Sequence, residues 1–167
     1  MLLALPMTLP AQKSSVDSFF SKYSDQEGYT SVEVTKGLFE LFAEIDADDP
    51  EFEDFQKAVE GLESLKLLAY SSEKGSNETK EKFAKDIMSS IPFSEYKELM
   101  VIKDNDANVN FYAKNNAQVI TEMIMVVDGK EEAVILSMKG NIDLNYVAKL
   151  GKSMNLDGMN YLEKMKK

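Results

Sequence analysis

The sequence predicts a single α+β domain in which helices pack on one face of a mostly antiparallel sheet, and three observations lead to this prediction. Apolar residues recur at helical spacing through most of the first half of the chain, whereas strand-like runs dominate from residue 99 to residue 139. The breaks between those runs are short, which favours antiparallel neighbours because parallel strands need long crossover connections. No stretch has the length of a linker between domains, and a chain of 167 residues can bury a sufficient core without disulfides or metal. Residues 12–167 are therefore assigned to one domain.

Helices and two strands are predicted in the first half. Four apolar stripes have the spacing of amphipathic helices, at residues 16–23, 38–45, 52–62 and 83–91. Two strand-like runs lie between these helices, at residues 29–34 and 64–71. Pro50 suits the first position of the third helix, and Asp48 and Asp49 favour the positive end of its dipole. The fourth helix is expected to end before Pro92, because a residue that precedes proline avoids helical geometry.

The second half predicts an antiparallel meander of four strands, followed by short helices. The strand-like runs are residues 99–103, 109–114, 119–127 and 133–139. Asp128-Gly129, between the last two runs, is a favoured two-residue hairpin turn. Two helices are expected after the meander, one capped by Asn141 or Asp143 and the other by Asp157. The complete sheet should therefore hold this four-strand C-terminal meander plus one or two N-terminal strands.

The chain is acidic, with a formal net charge of -10, a pI of about 4.6 and only lysines as its 19 basic residues. Residues 24–63 hold thirteen acidic residues against two lysines, whereas residues 139–167 carry a net charge of +3. An acidic body repels nucleic acid and anionic lipid, and without arginine the chain lacks the best side chain for phosphate and guanine. We therefore expect no nucleic-acid partner and interpret the acidic stretch as a solvated surface.

Composition also excludes several kinds of active site. The chain has no histidine, cysteine, arginine or tryptophan, which excludes histidine-dependent triads, zinc sites built from thiolates or imidazoles, and arginine phosphate clamps. Two carboxylates could run glycoside hydrolysis without histidine, but no pair stands out among 29 acidic residues. The sequence therefore predicts no catalytic or cofactor-binding residues, no metal ligands and no cofactor. A carboxylate-only, glycosidase-like hydrolase is the alternative.

Residues 104–108 partly match a calcium-binding loop. Asp104, Asp106 and Asn108 alternate like the first ligands of such a loop. The motif then requires glycine at its sixth position, where Val109 stands, and glutamate at its twelfth, where Asn115 stands. A hairpin loop between two strands explains the same residues, because asparagine and aspartate accept turn geometry.

Two further groups of side chains resemble metal ligands. Residues 46–54 hold the densest group of carboxylates: Asp46, Asp48, Asp49, Glu51, Glu53 and Asp54. Helix-start chemistry and surface exposure explain this group, and whether it or residues 104–108 bind a cation stays open. Met123 and Met125, with Met138 expected opposite them, could bind soft copper, but core packing is the more common role of methionine.

The first eleven residues predict export. Residues 1–11 are apolar and uncharged, and Pro10 and Ala11 precede a sharp change to polar sequence at Gln12. This pattern is typical of the end of a secretory signal cleaved after Ala11, and the stretch is too short to span a bilayer. The alternative is an N-terminal arm or strand packed on the domain. We expect a periplasmic or secreted protein with no transmembrane span, and without cysteine this sequence offers no lipoprotein anchor.

Three local patterns together resemble a known family. They are the leader ending at Ala11-Gln12, the strand at residues 32–34 running into a helix at 36–42, and the strand-glycine-helix junction at 136–144. In these, the chain resembles the Bacteroidota exported proteins catalogued as domain of unknown function 4252 (DUF4252), over residues 14 to about 165. The resemblance implies a small exported protein, in many members a lipoprotein, and a gene near extracytoplasmic sigma factors. No catalytic residues are established for the family, so none are carried over.

The sequence as a whole predicts an uncharacterised exported protein that acts as a non-enzymatic binding domain of the cell envelope, with envelope signalling as one hypothesis. Its expected partner is a protein or an envelope component. The expected binding surface is either the exposed face of the sheet or the acidic helices between Gly37 and Leu62. A purely structural envelope protein is a further alternative, and the sequence does not specify the oligomeric state.

Overall fold

The computed structural model of this chain describes residues 14–46, 49–103, 105–116, 119–143 and 145. The predicted leader at residues 1–11 and the predicted helix capped by Asp157 lie outside the described residues, as does nearly all of the helix predicted after residue 141. The described helices are α1 (Ser15–Tyr23), α2 (Lys36–Ala43), α3 (Pro50–Val59) and α4 (Asn77–Ser90), with short 3-10 turns at Ser72–Lys74 and Phe93–Glu95.

Capping groups and prolines set the ends of these helices. The hydroxyl groups of Ser14 and Ser76 accept hydrogen bonds from backbone N–H groups in the first turns of α1 and α4. Pro50 is the first residue of α3, as the sequence predicts. The last helix, α4, stops because Ile91 precedes Pro92 and takes an extended conformation.

Six strands form one open sheet in which every neighbouring pair is antiparallel. They are β1 (Tyr29–Thr35), β2 (Leu62–Ser71), β3 (Lys97–Lys103), β4 (Ala107–Asn116), β5 (Val119–Gly129) and β6 (Glu132–Ile142). The strand order is β1-β2-β6-β5-β4-β3, so β1 and β3 are the two edges. The α+β class and the meander from β3 to β6 are therefore confirmed, and the two N-terminal strands join the meander where β2 pairs with β6.

The two faces of the sheet carry separate apolar cores, because adjacent residues of a strand point to opposite faces. The first face carries Leu68, Ile124 and Ile135, and α1 and α4 pack on it. The second face carries Leu65 and Met123, and α2 and α3 pack on it. The prediction that helices pack on one face is therefore wrong for α2 and α3. Consecutive apolar residues in the central strands, such as Met123 and Ile124, leave both faces in need of cover.

Cover on the second face is incomplete. α2 and α3 pack with Leu65 at one end of the sheet. Farther along the same face Leu67, Met125 and Leu136 are only half-buried, and Val32 on the edge strand is 44% exposed. Part of the predicted exposed sheet face therefore exists.

Leu62 differs from its predicted role. It was expected to close the apolar stripe of the third helix, but α3 ends at Val59 and Leu62 begins β2. A β-bulge between Leu62 and Ser64 shifts the strand register there, so Leu62 still points into the core beneath α2 and α3. In the described ranges, no helix has the length and apolar content that a bilayer crossing needs.

Candidate functional site

A cluster of charged side chains lies between the start of α1 and the first face of the sheet. The carboxylate of Asp17 lies 2.7 Å from the ammonium of Lys139 and 3.1 Å from that of Lys66. The Ser14 hydroxyl donates to the same carboxylate at 2.7 Å and accepts from Lys139 at 3.0 Å. Lys66 also pairs with Glu33 at 3.1 Å. We call these five residues the Asp17 cluster.

The cluster fixes the charge of Asp17. Burial raises the pKa of this carboxyl group, but hydrogen bonds from Lys139, Ser14 and Lys66 outweigh burial and lower the pKa from 3.8 to about 2. The group is therefore ionised at any physiological pH. An acid catalyst requires the opposite, a carboxyl group that stays protonated near neutral pH.

A buried carboxylate, that of Glu122, lies next to the Asp17 cluster. Glu122 is 8% exposed and accepts hydrogen bonds from the Tyr96 hydroxyl at 2.9 Å and from the Ser137 hydroxyl at 3.4 Å. Burial, followed by the hydrogen bond to Glu122, raises the pKa of Tyr96, so its phenol remains a donor. Lys139 lies 3.9 Å from the same carboxylate and links the two groups. Within the described residues, every buried polar side-chain atom has a hydrogen-bond partner.

The sequence reasoning missed these residues, although a signal was present. Lys66, Glu122 and Lys139 are charged positions inside runs that otherwise look like core strands. A charge at such a position requires a partner, because burying an unpaired charge costs several kcal/mol. The structure supplies Asp17, which lies 122 positions from Lys139 in the chain. The cluster anchors α1 to the sheet, and its oxygens are engaged by its own lysines and hydroxyls.

An open groove of about 590 Å³ runs beside α4. Lys80, Ala84, Lys85, Met88 and Asp128 are among its lining residues. The Lys80 ammonium lies 2.9 Å from the Asp128 carboxylate, and this ion pair ties α4 to the sheet. The groove is broad and open to solvent, unlike the enclosed pockets that bind small molecules.

The calcium-like loop is part of a hairpin. Asp104 lies outside the described residues, while Asn108 and Val109 already belong to β4 and pair with β3 and β5. The Asp106 carboxylate lies 2.9 Å from the ammonium of Lys130. Asp106 and Asn108 therefore lie in the β3–β4 hairpin, as the hairpin interpretation of this loop predicts.

The acidic group at residues 46–54 is divided among several local environments. Asp48 lies outside the described residues, and so does the side chain of Glu51. The backbone carbonyl of Asp49 accepts the N–H of Glu53 at the start of α3, and the Glu53 carboxylate lies 3.8 Å from Lys57. In the described part of the chain, no three carboxylates come together in a way that could hold a metal ion.

The three methionines occupy the second face. Met123 and Met138 stand directly opposite each other on β5 and β6, as the sequence suggests. Met123 is buried in the core beneath α2 and α3, and Met138 packs against that core. Met125 pairs with Leu136 and Phe111. Met123 and Met138 therefore make the contacts of core residues, whereas Met125 lies on the half-buried part of this face.

The clearest exposed apolar feature lies on α2. Leu38, Leu41 and Ile45 are 41%, 62% and 45% exposed, which makes them three of the seven large apolar side chains exposed in the described ranges. Leu38 and Leu41 lie one turn apart on α2 and Ile45 follows two residues after the helix ends, while Phe39 and Phe42 pack toward the core. We call Leu38, Leu41 and Ile45 the α2 stripe. It lies in the segment between Gly37 and Leu62 that the sequence analysis named.

A side chain of α3 holds the end of α2 in place. The Gln56 amide donates to the backbone carbonyls of Phe42 at 2.9 Å and Ile45 at 2.6 Å. Phe42 lies in the last turn of α2, where carbonyls lack the partners of a helix interior, and it also accepts the Ile45 N–H at 3.3 Å. Phe42 also meets Phe55 edge-on, with ring centroids 5.4 Å apart. Gln56 and Phe55 of α3 thus fix the end of α2, next to the α2 stripe.

Comparison with known proteins identifies one family. A family model described as Domain of unknown function (DUF4252) matches residues 23–150, well over half of the chain. The matched range runs from the end of α1 through β6 and contains the α2 stripe. No curated protein matches the chain, and no solved structure does.

Proposed function

We propose that this chain, which belongs to the family described as Domain of unknown function (DUF4252), is a non-enzymatic interaction domain of the cell envelope. It binds a protein partner through the α2 stripe. The concentration of exposed apolar side chains on one short helix and the residues just after it carries this proposal. Single exposed apolar residues are ordinary, but grouped ones mark binding surfaces. The stripe also satisfies the usual plan of an interface, an apolar centre surrounded by charged residues.

The charge around the stripe indicates the chemistry of the partner. Residues 24–63 carry thirteen acidic residues against two lysines, and Glu40 and Glu44 lie on α2 or just after it. Complementary charge speeds association and disfavours wrong partners more than it adds affinity. We therefore propose a partner that presents an apolar patch within a basic rim.

The Asp17 carboxyl group does not fit the acid of the alternative function, a carboxylate-only hydrolase. A hydrolase of the two-carboxylate type needs one protonated carboxyl group as its acid. That acid needs a raised pKa, whereas the pKa of Asp17 is lowered. The carboxylate oxygens of Asp17 also contact Lys66 and Lys139 already. The cluster is better explained as an anchor for α1.

A capture experiment tests the binding surface. Tagged wild-type protein, L41E and M88E would each be incubated with an envelope extract, and bound proteins would be identified and quantified. Leu41 is 62% exposed in the stripe and Met88 is 50% exposed on α4, so both variants place a charge at an exposed site of similar kind. We expect a stoichiometric protein with the wild type and M88E and its loss with L41E. Equal recovery with L41E, or no stoichiometric protein with the wild type, would contradict the proposal.

Export to the envelope is part of the same proposal and has its own test. It rests on the apolar residues 1–11 and on the resemblance to exported proteins of Bacteroidota. N-terminal sequencing of protein recovered from the periplasm or the medium should begin at Gln12. Cytoplasmic protein that still carries Leu2 would rule out cleavage after Ala11.

A further inference from the structure

The outer edge of β1 has the features of a strand that pairs with another strand. We propose that it pairs antiparallel with β1 of a second copy of this chain, about a two-fold axis at Val32, to form a continuous twelve-stranded sheet. The inference goes beyond the proposed function, since strand pairing uses the backbone groups of β1 and not the α2 stripe.

The two edges of the sheet differ in their protection. Natural edge strands are commonly blunted by lysines or by bulges, because an open row of N–H and C=O groups recruits other strands. The edge strand β3 has both devices: Lys97 and Lys103 stand at its ends, and its pairing with β4 shifts between Glu98 and Met100. Over its seven residues β1 pairs with β2 without any shift, and Glu33 is its only charged residue. β3 thus carries more protection against strand addition than β1 does.

The side chains of β1 are also unusually open for a strand of this sheet. Residues 30–33 are all exposed, and Val32 is 44% exposed on the second face. On the first face a small groove lies between α1 and β1, with Ser24, Ser31 and Glu33 among its lining residues. A strand added at this edge would therefore find space on both sides of the sheet.

Symmetry and the charge of β1 select the register in which a second copy would pair. In an antiparallel pair, directly opposed residues have their side chains on the same face of the sheet. Because side chains alternate between the faces along a strand, a two-fold axis between two β1 strands must pass through a residue position and place that residue opposite its own copy. An axis at Glu33 would oppose two carboxylates, which is destabilising. An axis at Ser31 would leave Val34 and Thr35 unpaired. An axis at Val32 pairs all seven residues.

The register at Val32 is complementary on both faces. On the second face the two Val32 side chains would meet, and Thr30 would lie opposite Val34, so β-branched residues face each other. On the first face Ser31 would lie opposite Glu33 of the second copy and could donate to its carboxylate. No like charges are opposed, because the only charged residue of β1 is Glu33, which pairs with Lys66 of its own chain at 3.1 Å.

The test compares the solution mass of variants of the full chain across a concentration series by light scattering. We expect the wild type to have twice the 18.8-kDa chain mass. V32K and V32E should each be monomeric, since like charges would oppose at the axis. V101K is the matched control and should remain dimeric, because Val101 is 38% exposed on the other edge strand. Circular dichroism would confirm that each variant is folded.

Mixing the two charged variants tests the axis itself. An equimolar mixture of V32K and V32E should restore a dimer that contains one chain of each, identified by native mass spectrometry. A mixture that stays monomeric would overturn the proposed axis. A monomeric wild type would overturn dimer formation and would leave the edge to another protein or to a segment of this chain outside the described residues. Such a result would leave the capture experiment on the α2 stripe unaffected.

Discussion

At the scale of single residues, Asp17 is the most informative position in the described part of the chain. Its carboxylate forms ion pairs with two strand lysines, Lys66 and Lys139, and accepts a hydrogen bond from the Ser14 hydroxyl. Those contacts lower its pKa to about 2 from 3.8 in the unfolded chain. A folded-state pKa below the unfolded one stabilises the protein fully above the unfolded value, and the contribution is lost as pH falls from about 4 to about 2.

Replacing Asp17 by asparagine should therefore give a stability loss that depends on pH. We expect D17N to lower the free energy of unfolding by about 2 kcal/mol at pH 7, because a shift of this size corresponds to about 1.4 kcal/mol per pKa unit. Most of the difference from wild type should be lost by pH 2, where about half of the wild-type carboxyl groups are protonated. Urea unfolding at both pH values measures this. A constant difference would show that packing and not charge is responsible.

A matched substitution separates the cluster from an ordinary surface pair. Glu40 pairs with Lys36 at 3.0 Å on the exposed side of α2, with its side chain 60% exposed. Exposed pairs of this kind contribute less than about 1 kcal/mol and are weakened by salt. E40Q should therefore change the unfolding free energy by less than about 0.5 kcal/mol at pH 7.

At the scale of elements, two glycines allow β2 and β6 to approach closely beside the bulge. Gly140 has φ of +138°, and a Cβ there would stand 2.2 Å from the backbone oxygen of Gly61. A Cβ on Gly61 would in turn stand 2.1 Å from the carbonyl oxygen of Asn141. The Asn141 N–H donates to the Gly61 carbonyl at 2.7 Å, which closes this crossing. Side chains at these positions would force the two strands apart.

G140A should therefore be strongly destabilising. We expect a loss of more than about 2 kcal/mol, since the change combines an unfavourable φ with a backbone clash. G37A is the control: Gly37 is helical, and a Cβ there would meet only the Thr35 hydroxyl at 3.9 Å. It should stabilise the protein by about 0.5 kcal/mol. Thermal unfolding compares the two, and similar midpoints would contradict the close approach of β2 and β6.

The contact between α2 and α3 belongs to the same scale and affects the proposed binding surface. Q56A removes the amide that donates to the carbonyls of Phe42 and Ile45. We expect a loss of about 1–2 kcal/mol and faster amide hydrogen exchange across α2. The exposed E53Q change on the same helix should leave exchange in α2 as in the wild type. Unchanged exchange in Q56A would show that packing of Phe42 on Phe55 holds α2 without the amide.

At the scale of the whole molecule, two apolar cores share one sheet. In the first core Phe83 is fully buried and meets the rings of Phe19, Tyr23 and Tyr29 at centroid distances of 5.9, 5.1 and 5.0 Å. In the second core Met123 is 2% exposed beneath α2 and α3. Strand β5 contributes Ile124 to the first core and Met123 to the second, so losing one core exposes the back of the other.

The two cores should therefore unfold together. We expect F83A to cost about 3–5 kcal/mol and M123A about 2–5 kcal/mol, through lost burial and the cavity left behind. Tyrosine fluorescence reports mainly on the first core, and circular dichroism reports on the whole chain. Both signals should change in one transition for both variants. Separate transitions in M123A would show that α2 and α3 form an independent unit.

The sequence by itself determined which helices and strands form in the described residues. It also determined which side-chain chemistry this chain lacks. Apolar spacing located each described helix and strand because such spacing depends on neighbours a few residues apart. Short breaks indicated the meander from β3 to β6, since short connections leave little choice of partner. The two-residue turn predicted at Asp128-Gly129 is wrong, because both residues belong to β5 and the chain turns at Lys130 and Glu131. Composition excluded histidine, cysteine and arginine chemistry because absent side chains cannot be supplied by folding.

Only the tertiary structure decided what lies next to what across the sheet. Pairing of β2 with β6 brings Lys66 and Lys139 under Asp17, although Lys139 and Asp17 are 122 positions apart in the chain. It also decided that α2 and α3 cover the second face, which leaves the α2 stripe exposed and β1 as an edge without bulge or lysine. Periodicity shows that a helix or strand has an apolar side. Which surface covers that side depends on strand order and register, which arise from contacts between distant residues.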